Sequence, residues 1–277
     1  MSNKLAMPGE KHQTEKRPGH WLLAQIGKTV LRPGGLELTN KMLTQLSINT
    51  SDDVIEFAPG VGLTAQITLA KRPKTYTAVE QNEQAAKIVR SYLNGNNQTC
   101  HVNSAQDTAL DSEIASVVYC EAMLTMQSSA RKKQIIKEAY RLLKTNGRFG
   151  IHEMCITPND IDSNKQHKIQ KALTETIQHP AKPLTLNEWK LLIQECGFEI
   201  EYEAMAPMHL LEPSRLLQDE GLNGFLKIIK NLILKPDIRK RVLKMKSVFR
   251  EHSHNLAAIT LVVKKKEQAC PYLITKN

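Results

Sequence analysis

The stretch Asp53-Val54-Ile55-Glu56-Phe57-Ala58-Pro59-Gly60-Val61-Gly62-Leu63-Thr64 decides how this chain is read. It opens as a short apolar run, turns at Pro59-Gly60 and continues into residues 63–71, which can be helical. A strand that feeds a helix through glycines lets backbone approach a ligand closely and aims a helix N-terminus at it. Alone, the same pattern fits a plain strand-to-helix connection in a parallel sheet. Two further features bear on the choice. Thr75-Tyr76-Thr77-Ala78-Val79 is a second strand candidate ending on Glu80, at the distance where a ribose-binding carboxylate follows a glycine turn. Glu56 ends a buried strand, and a buried carboxylate needs partners.

Downstream the pattern repeats. Residues 82–93 carry Ala85, Ile88, Val89 and Tyr92 at helical spacing and end at Asn94-Gly95-Asn96. A short third strand at 99–102 leads into the polar loop 103–107, and a fourth strand occupies 115–120. Residues 128–143 predict a helix with Ile135, Ile136, Ala139, Leu142 and Leu143 on one face. Asn146-Gly147 is expected to cap that helix in a left-handed conformation before a fifth strand at 149–154. Repeated alternation of strand and helix argues for a parallel sheet covered on both faces, with ligands beyond the carboxyl ends of the strands. Glu56, Glu80, Gln106, Glu121 and Glu153 all fall at those ends.

On these residues the chain resembles the class I S-adenosylmethionine-dependent methyltransferases, in their small-molecule, type 11-like group. The first motif of that family is an acidic residue followed by glycines at alternate positions; Glu56, Ala58, Gly60 and Gly62 stand there, with Ala58 departing from the pattern. The run from Arg141 to Gly150 resembles the family's entry into strand five. The resemblance implies a three-layer α/β sandwich with a mostly parallel seven-stranded sheet in the order 3-2-1-4-5-7-6. N-terminal helices and a helical insertion before the last strand complete the implied fold.

It also implies S-adenosyl-L-methionine as cofactor. Its contacts would come from Glu56, Phe57, Ala58, Gly60 and Gly62, from Glu80 and Gln81, from Ser104, Ala105 and Gln106 beside the adenine, and from Glu121. A phosphate-binding turn fits less well, because no Gly-Lys-Ser/Thr follows. Methyl transfer from a sulfonium is an in-line displacement governed by positioning and desolvation, so no dedicated catalytic residue is required. If a base acts, His152 or Glu153 is best placed, with Glu121 and His20 behind them. His152 reads equally as a strand residue turned toward a helix. His20, Arg32, Gly34 and Gly35 can cap the cofactor pocket, or Arg32-Pro33-Gly34-Gly35 can be simply a turn.

Length and composition suit a globular protein: 277 residues, 41% hydrophobic and 24% charged. No apolar run reaches the roughly 18 residues of a membrane span, and residues 1–19 are too polar for a signal peptide. Residues 1–19 are expected to be a flexible tail and 20–277 a single cytoplasmic domain. Five widely spaced cysteines read as reduced thiols, and no metal set is evident.

The segment 205–256 is expected to be a helical, lid-like insertion, with a short helix at 213–220 stopped by Gly221. From 224 to 251, nine Lys and Arg stand against Asp237 and Glu251, a balance of +7. As a lid it would turn Leu226, Ile229 and Ile233 toward an apolar substrate, with Lys227 and Lys230 at the rim. The basic stretch 224–250 can instead meet an anionic membrane or remain a solvated face. It lacks an aromatic platform, so nucleic acid has no strong signal. The favoured acceptor is a small or amphipathic molecule. The alternatives are a non-catalytic S-adenosylmethionine-binding protein and a methyltransferase acting at a lipid or RNA surface.

Overall fold

Short runs rich in β-branched and aromatic residues build the parallel part of the sheet: β1 (Asp53–Phe57), β2 (Thr75–Val79), β3 (Gln98–His101) and β4 (Ala115–Glu121). The computed structural model of the chain describes residues 14–29 and 31–266. β1 is buried along its whole length, as a strand covered on both faces must be. β5 (Leu143–Ile156) runs parallel to β4, β8 (Leu256–Lys265) antiparallel to β5, and β7 (Phe198–Pro207) antiparallel to β8. The order is 3-2-1-4-5-8-7, with the two-residue β6 (Leu184–Thr185) beside the end of β5. Without that short strand it is the order the resemblance implies. At the edge, β7 alternates inward and outward residues, as a half-covered strand does.

On one face lie α2 (Gly35–Gln45), α3 (Leu63–Ala70) and α4 (Glu83–Arg90), sharing a core of Met42, Leu43, Ala65, Ala86 and Val89 with the sheet. The other face carries α5 (Ser129–Leu142) and α7 (Leu186–Glu195), through Ile135, Ile136, Trp189 and Ile193. Gly150 is needed for the first of these layers: a Cβ there would stand 2.8 Å from Leu46. A capping box of Thr185 and Glu188 opens α7.

One local expectation fails. Asn146 is left-handed (φ 63°), but it does not cap a helix. α5 ends at Leu142 with an extended C-cap, and Asn146 sits inside β5, where register with β4 jumps from Ala115–Leu143 to Val117–Arg148. The left-handed residue makes a bulge, which absorbs extra chain without breaking the strand.

A third apolar cluster lies beyond the carboxyl end of β5. There α1 (Gly19–Ile26), α6 (Ser163–Ile177), α8 (Pro213–Leu234) and α9 (Pro236–Glu251) gather around Met154, Ile156 and Leu256. α8 breaks at Gly221 (φ 66°, ψ 176°), as the sequence predicts. The expected tail is ordered earlier than residue 20. Thr14–Lys16 form a 3-10 turn, Arg17 is buried, and Arg241 of α9 donates to the carbonyls of Thr14 (2.5 Å) and Arg17 (3.1 Å). Residues 1–13 and 267–277 lie outside the described residues.

The insertion also departs from expectation. Leu226, Ile229 and Ile233 face outward, 55%, 38% and 64% exposed, and do not turn toward a pocket. The residues of this segment that line a cavity are instead Leu210, before α8, and Met245 and Phe249 of α9. Helical periodicity shows that α8 has a second apolar face but does not say which face meets the protein.

Candidate active site

After β1 the chain passes through three left-handed residues, Ala58 (φ 51°), Gly60 (φ 59°) and Gly62 (φ 79°), before entering α3. The two glycines have different reasons. A Cβ on Gly62 would stand 2.8 Å from the Tyr92 ring, so that position serves packing against the end of α4. A Cβ on Gly60 would meet no protein atom within 4 Å. It would point into a cavity of about 300 Å³ at the carboxyl ends of β1, β2 and β4. Ala58 shows that this turn tolerates a methyl group, with its N–H held by the Val79 carbonyl at 2.8 Å.

Glu80 lines that cavity and is 6% exposed. Its Oε2 accepts from the Gly60 N–H (3.2 Å) and its Oε1 from the Asn82 N–H (2.8 Å), which ties the glycine turn to the end of β2. Burial raises its pKa against those amide bonds. Gln81, Ser104, Ala105 and Gln106 form the neighbouring wall, joined by Asn103. Phe57 does not reach the cavity; it is fully buried in the core under α5.

Between the turn and α2 two buried carboxylates have opposite settings. Glu56 accepts from the hydroxyls of Tyr76 (2.5 Å) and Tyr119 (2.7 Å). Burial nevertheless pushes it up to about 7. Glu121 would also be pushed up by burial, but Arg32 (Nε 3.1 Å) and then His152 (Nδ1 2.8 Å) hold it down to about 2. Thr39 and Thr64 each donate to it at 2.5 Å, so its oxygens are taken up by protein groups although it borders the cavity.

The two leading candidates for a base are corrected here. His152 is fully buried, with Nδ1 on Glu121 and Nε2 donating to the Pro33 carbonyl at 2.5 Å, and it does not line the cavity. Glu153 is fully buried too. Its Oε1 accepts from the N–H groups of Met123 (3.0 Å) and Leu124 (2.7 Å), and its Oε2 from the Thr125 N–H (3.0 Å) and hydroxyl (2.7 Å). Burial raises its pKa. Both residues hold structure: His152 anchors the Arg32-Pro33 segment, and Glu153 fixes the loop after β4 that presents Met123 and Met126 to the cavity. As neighbours in a strand they point to opposite faces of a sheet covered on both sides, and the sequence does not reveal where beside it the open space lies.

His20, the last candidate in the expected ranking, does reach the cavity. Its ring centroid lies 4.5 Å from Trp21 and 6.0 Å from His179, and its Nδ1 is buried without a protein partner. Burial, then His179, pushes it down to about 3, so the ring is neutral at ordinary pH. The Arg32-Pro33-Gly34-Gly35 stretch is a turn, and of its members only Arg32 reaches the cavity. Gly34 and Gly35 form a tight turn packed on Ala258 and Asp219, while Arg32 borders the cavity and keeps a buried Nη2 without a partner.

Sequence reading missed Thr64, Arg131 and His179. Thr64 follows directly on the glycine turn and was within reach of the motif; His179 comes from a loop with no signal of its own. A second, apolar cavity of about 50 Å³ adjoins the first. It shares His20, Leu31, Ala122 and Met126 with it and continues among Leu23, Met154, Ile177, Leu210, Met245 and Phe249.

Comparison with known proteins agrees with this architecture. Residues 55–151 match the family described as methyltransferase domain. An uncharacterised protein of Haemophilus influenzae is 33% identical over 252 residues, 89% of this chain and 98% of that protein. The phosphoethanolamine N-methyltransferase of Plasmodium falciparum is 20% identical over 177 residues, 63% of this chain and 64% of that protein. Among solved structures, phosphoethanolamine N-methyltransferase 2 of Haemonchus contortus, in complex with S-adenosylhomocysteine, superposes with a TM-score of 0.67 at 13% identity, covering 90% of this chain and 57% of that one. The cyclase SpnF superposes with a TM-score of 0.65 at 12% identity, covering 89% and 93%. The last pair shows the fold alone, and a fold does not fix a reaction. The chain belongs to the class I S-adenosylmethionine-dependent methyltransferases, enzymes whose cofactor is S-adenosyl-L-methionine.

The cavity fits that cofactor on its own evidence. Gly60 leaves a cradle that any side chain would fill, and Arg32 Nη2 and His20 Nδ1 lack protein partners at its border. Gly60→Ala tests the cradle. Its methyl meets no protein atom, so its stability cost is about 1–2 kcal/mol, that of a left-handed L-residue. Affinity for S-adenosylhomocysteine should fall by a similar about 1–2 kcal/mol beyond that, read by calorimetry, because an overpacked contact costs about as much. Undiminished affinity would make the turn a connection only.

Proposed function

We propose that this methyltransferase acts on a small acceptor with an apolar body, seated in the narrow cavity that opens off the larger polar one. The observation that carries this reading is the shared wall of His20, Leu31, Ala122 and Met126, where an apolar cleft meets the polar chamber. In this reading Glu80 takes the ribose hydroxyls, the 58–62 turn lies against the cofactor's backbone-facing side, and residues 103–106 border the adenine. Arg32 Nη2 receives the methionine carboxylate, and the Glu56 oxygen not bonded to the tyrosines faces the amino group. Glu121 serves by fixing Arg32.

When bound, the cofactor supplies an electrophilic methyl group. The chain's residues position the acceptor and keep water out. Met123 and Met126 form a water-poor lining, and Trp21 closes the side next to His20. A ring pushed down to about 3 is a weak base, so His20 orients the acceptor and does not strip its proton. Its unpartnered Nδ1 can accept one hydrogen bond from an N–H or O–H and so aim the attacking lone pair. The name of the Plasmodium falciparum relative supports a small-molecule acceptor, since that protein is a phosphoethanolamine N-methyltransferase.

The test is turnover, followed as S-adenosylhomocysteine release, on amines, alcohols and thiols of increasing alkyl length. KM should fall as the apolar part grows to fill the cleft. Met126→Lys should raise KM for those acceptors by about tenfold, the order of one charge set against an apolar contact, with S-adenosylhomocysteine affinity little changed. A KM indifferent to alkyl length and to Met126→Lys would reject the apolar acceptor.

A further inference from the structure

The half of α8 beyond its break at Gly221 has two apolar faces, and only one of them is used by the protein. Ile228 is fully buried there, with Phe225 and Leu232 half-buried beside it. Leu222, Leu226, Ile229 and Ile233 follow at i, i+4, i+7 and i+11, which places them on one stripe of a helix. They are 63%, 55%, 38% and 64% exposed, and Leu234 at the helix end is 64% exposed. Isolated exposed leucines are ordinary on a protein surface, but a continuous aliphatic stripe marks a contact.

The charges around the stripe say what covers it. Lys227, Lys230 and Lys235 are all exposed, and no carboxylate occurs anywhere from residue 222 to 235. The stripe holds neither an aromatic side chain nor an arginine, the residues that concentrate binding energy at protein–protein contacts. Aliphatic side chains at the acyl boundary, with lysines reaching up to headgroup phosphates, suit a bilayer surface. No helix among the described residues is long and apolar enough to cross a membrane, so the contact is peripheral.

We propose that this face of α8 docks the protein on the surface of an anionic lipid bilayer, the aliphatic stripe entering the headgroup region and the flanking lysines meeting acidic lipid. The docking face is separate from the cavities, neither of which any residue of α8 lines, and it does not depend on the acceptor proposed above.

The experiment is co-sedimentation of the full chain with vesicles of phosphatidylcholine, alone or mixed with phosphatidylglycerol, over a range of salt. Binding is expected only with phosphatidylglycerol and should weaken as salt screens the lysines. Lys230→Gln and Lys235→Gln should each lower the partition coefficient about fivefold, the share of one basic residue near an acidic surface. The double variant Leu226→Ser, Ile233→Ser should lower it by about tenfold or more, with circular dichroism and thermal unfolding unchanged because both side chains are solvated. Absence of binding at low salt would overturn the proposal, and so would binding that survives the double serine variant. An oligomer in lipid-free solution that the serine variant dissolves would overturn it too, by assigning the face to a second copy of the chain.

Discussion

Replacing Glu80 by alanine is expected to weaken S-adenosylhomocysteine binding by about 2–4 kcal/mol, a rise in Kd of about 30- to 1,000-fold, on the scale of two charge-assisted hydrogen bonds. The carboxylate is already aimed by the amides of Gly60 and Asn82, so little ordering remains to be done when a ribose diol arrives. Burial strengthens each bond it makes there. Alanine also removes the acceptor that ties the Gly60 N–H to β2, and the turn can relax. Glu80→Gln separates the two effects. It keeps the volume and one acceptor oxygen, so its affinity should fall between wild type and alanine. Calorimetry on both variants, with urea denaturation as the control for folding, decides the matter. Wild-type affinity in Glu80→Ala would remove the ribose assignment.

The sheet was readable because β1 and β4 are buried on both faces and therefore stand out as short apolar runs, while glycines and asparagines punctuate the connections. For the same reason Glu56, Glu80 and the 103–106 loop could be placed at one end of the sheet from their positions alone. What strand position could not supply is the direction of a side chain within that end. His152 and Glu153 lie inside β5, which runs on to Ile156, and both are consumed by buried bonds, to Pro33 and Glu121 in one case and to residues 123–125 in the other. Those partners lie far away in sequence, and nothing local announces them. α8 failed in a related way. Its two apolar faces are symmetrical in the periodicity, and only packing against α1 and α9 selects Ile228 as the inner one. The Asn146 bulge shows a third kind of limit: a left-handed asparagine is equally at home in a helix cap and in a strand irregularity.

Glu121 provides the largest expected effect on stability, and its sign with pH can be worked out. Arg32 and His152 both point at this one buried carboxylate. Glu121→Ala leaves them without their anion, and breaking a buried ion pair from one side costs about 3–5 kcal/mol. The folded pKa of about 2 lies below the ordinary value of 4.5, so the carboxylate's contribution is fully present above the unfolded pKa and is lost as pH falls toward about 2. That contribution is about 3 kcal/mol at neutral pH. Urea denaturation should therefore show a gap between wild type and Glu121→Ala that is widest near neutrality and closes in acid. Glu56 works the other way. Held at about 7, it favours the folded state only while protonated, and its ionisation penalty grows as pH rises from 4.5 through 7. Glu56→Gln keeps an oxygen for the Tyr76 and Tyr119 hydroxyls and should flatten that part of the profile. In Glu121→Ala protein that remains folded, S-adenosylhomocysteine affinity should fall less than in Glu80→Ala, because in the proposed arrangement Glu121 reaches the cofactor only through Arg32. A variant as stable as wild type that has lost cofactor binding would reverse the assignment and make Glu121 a direct contact.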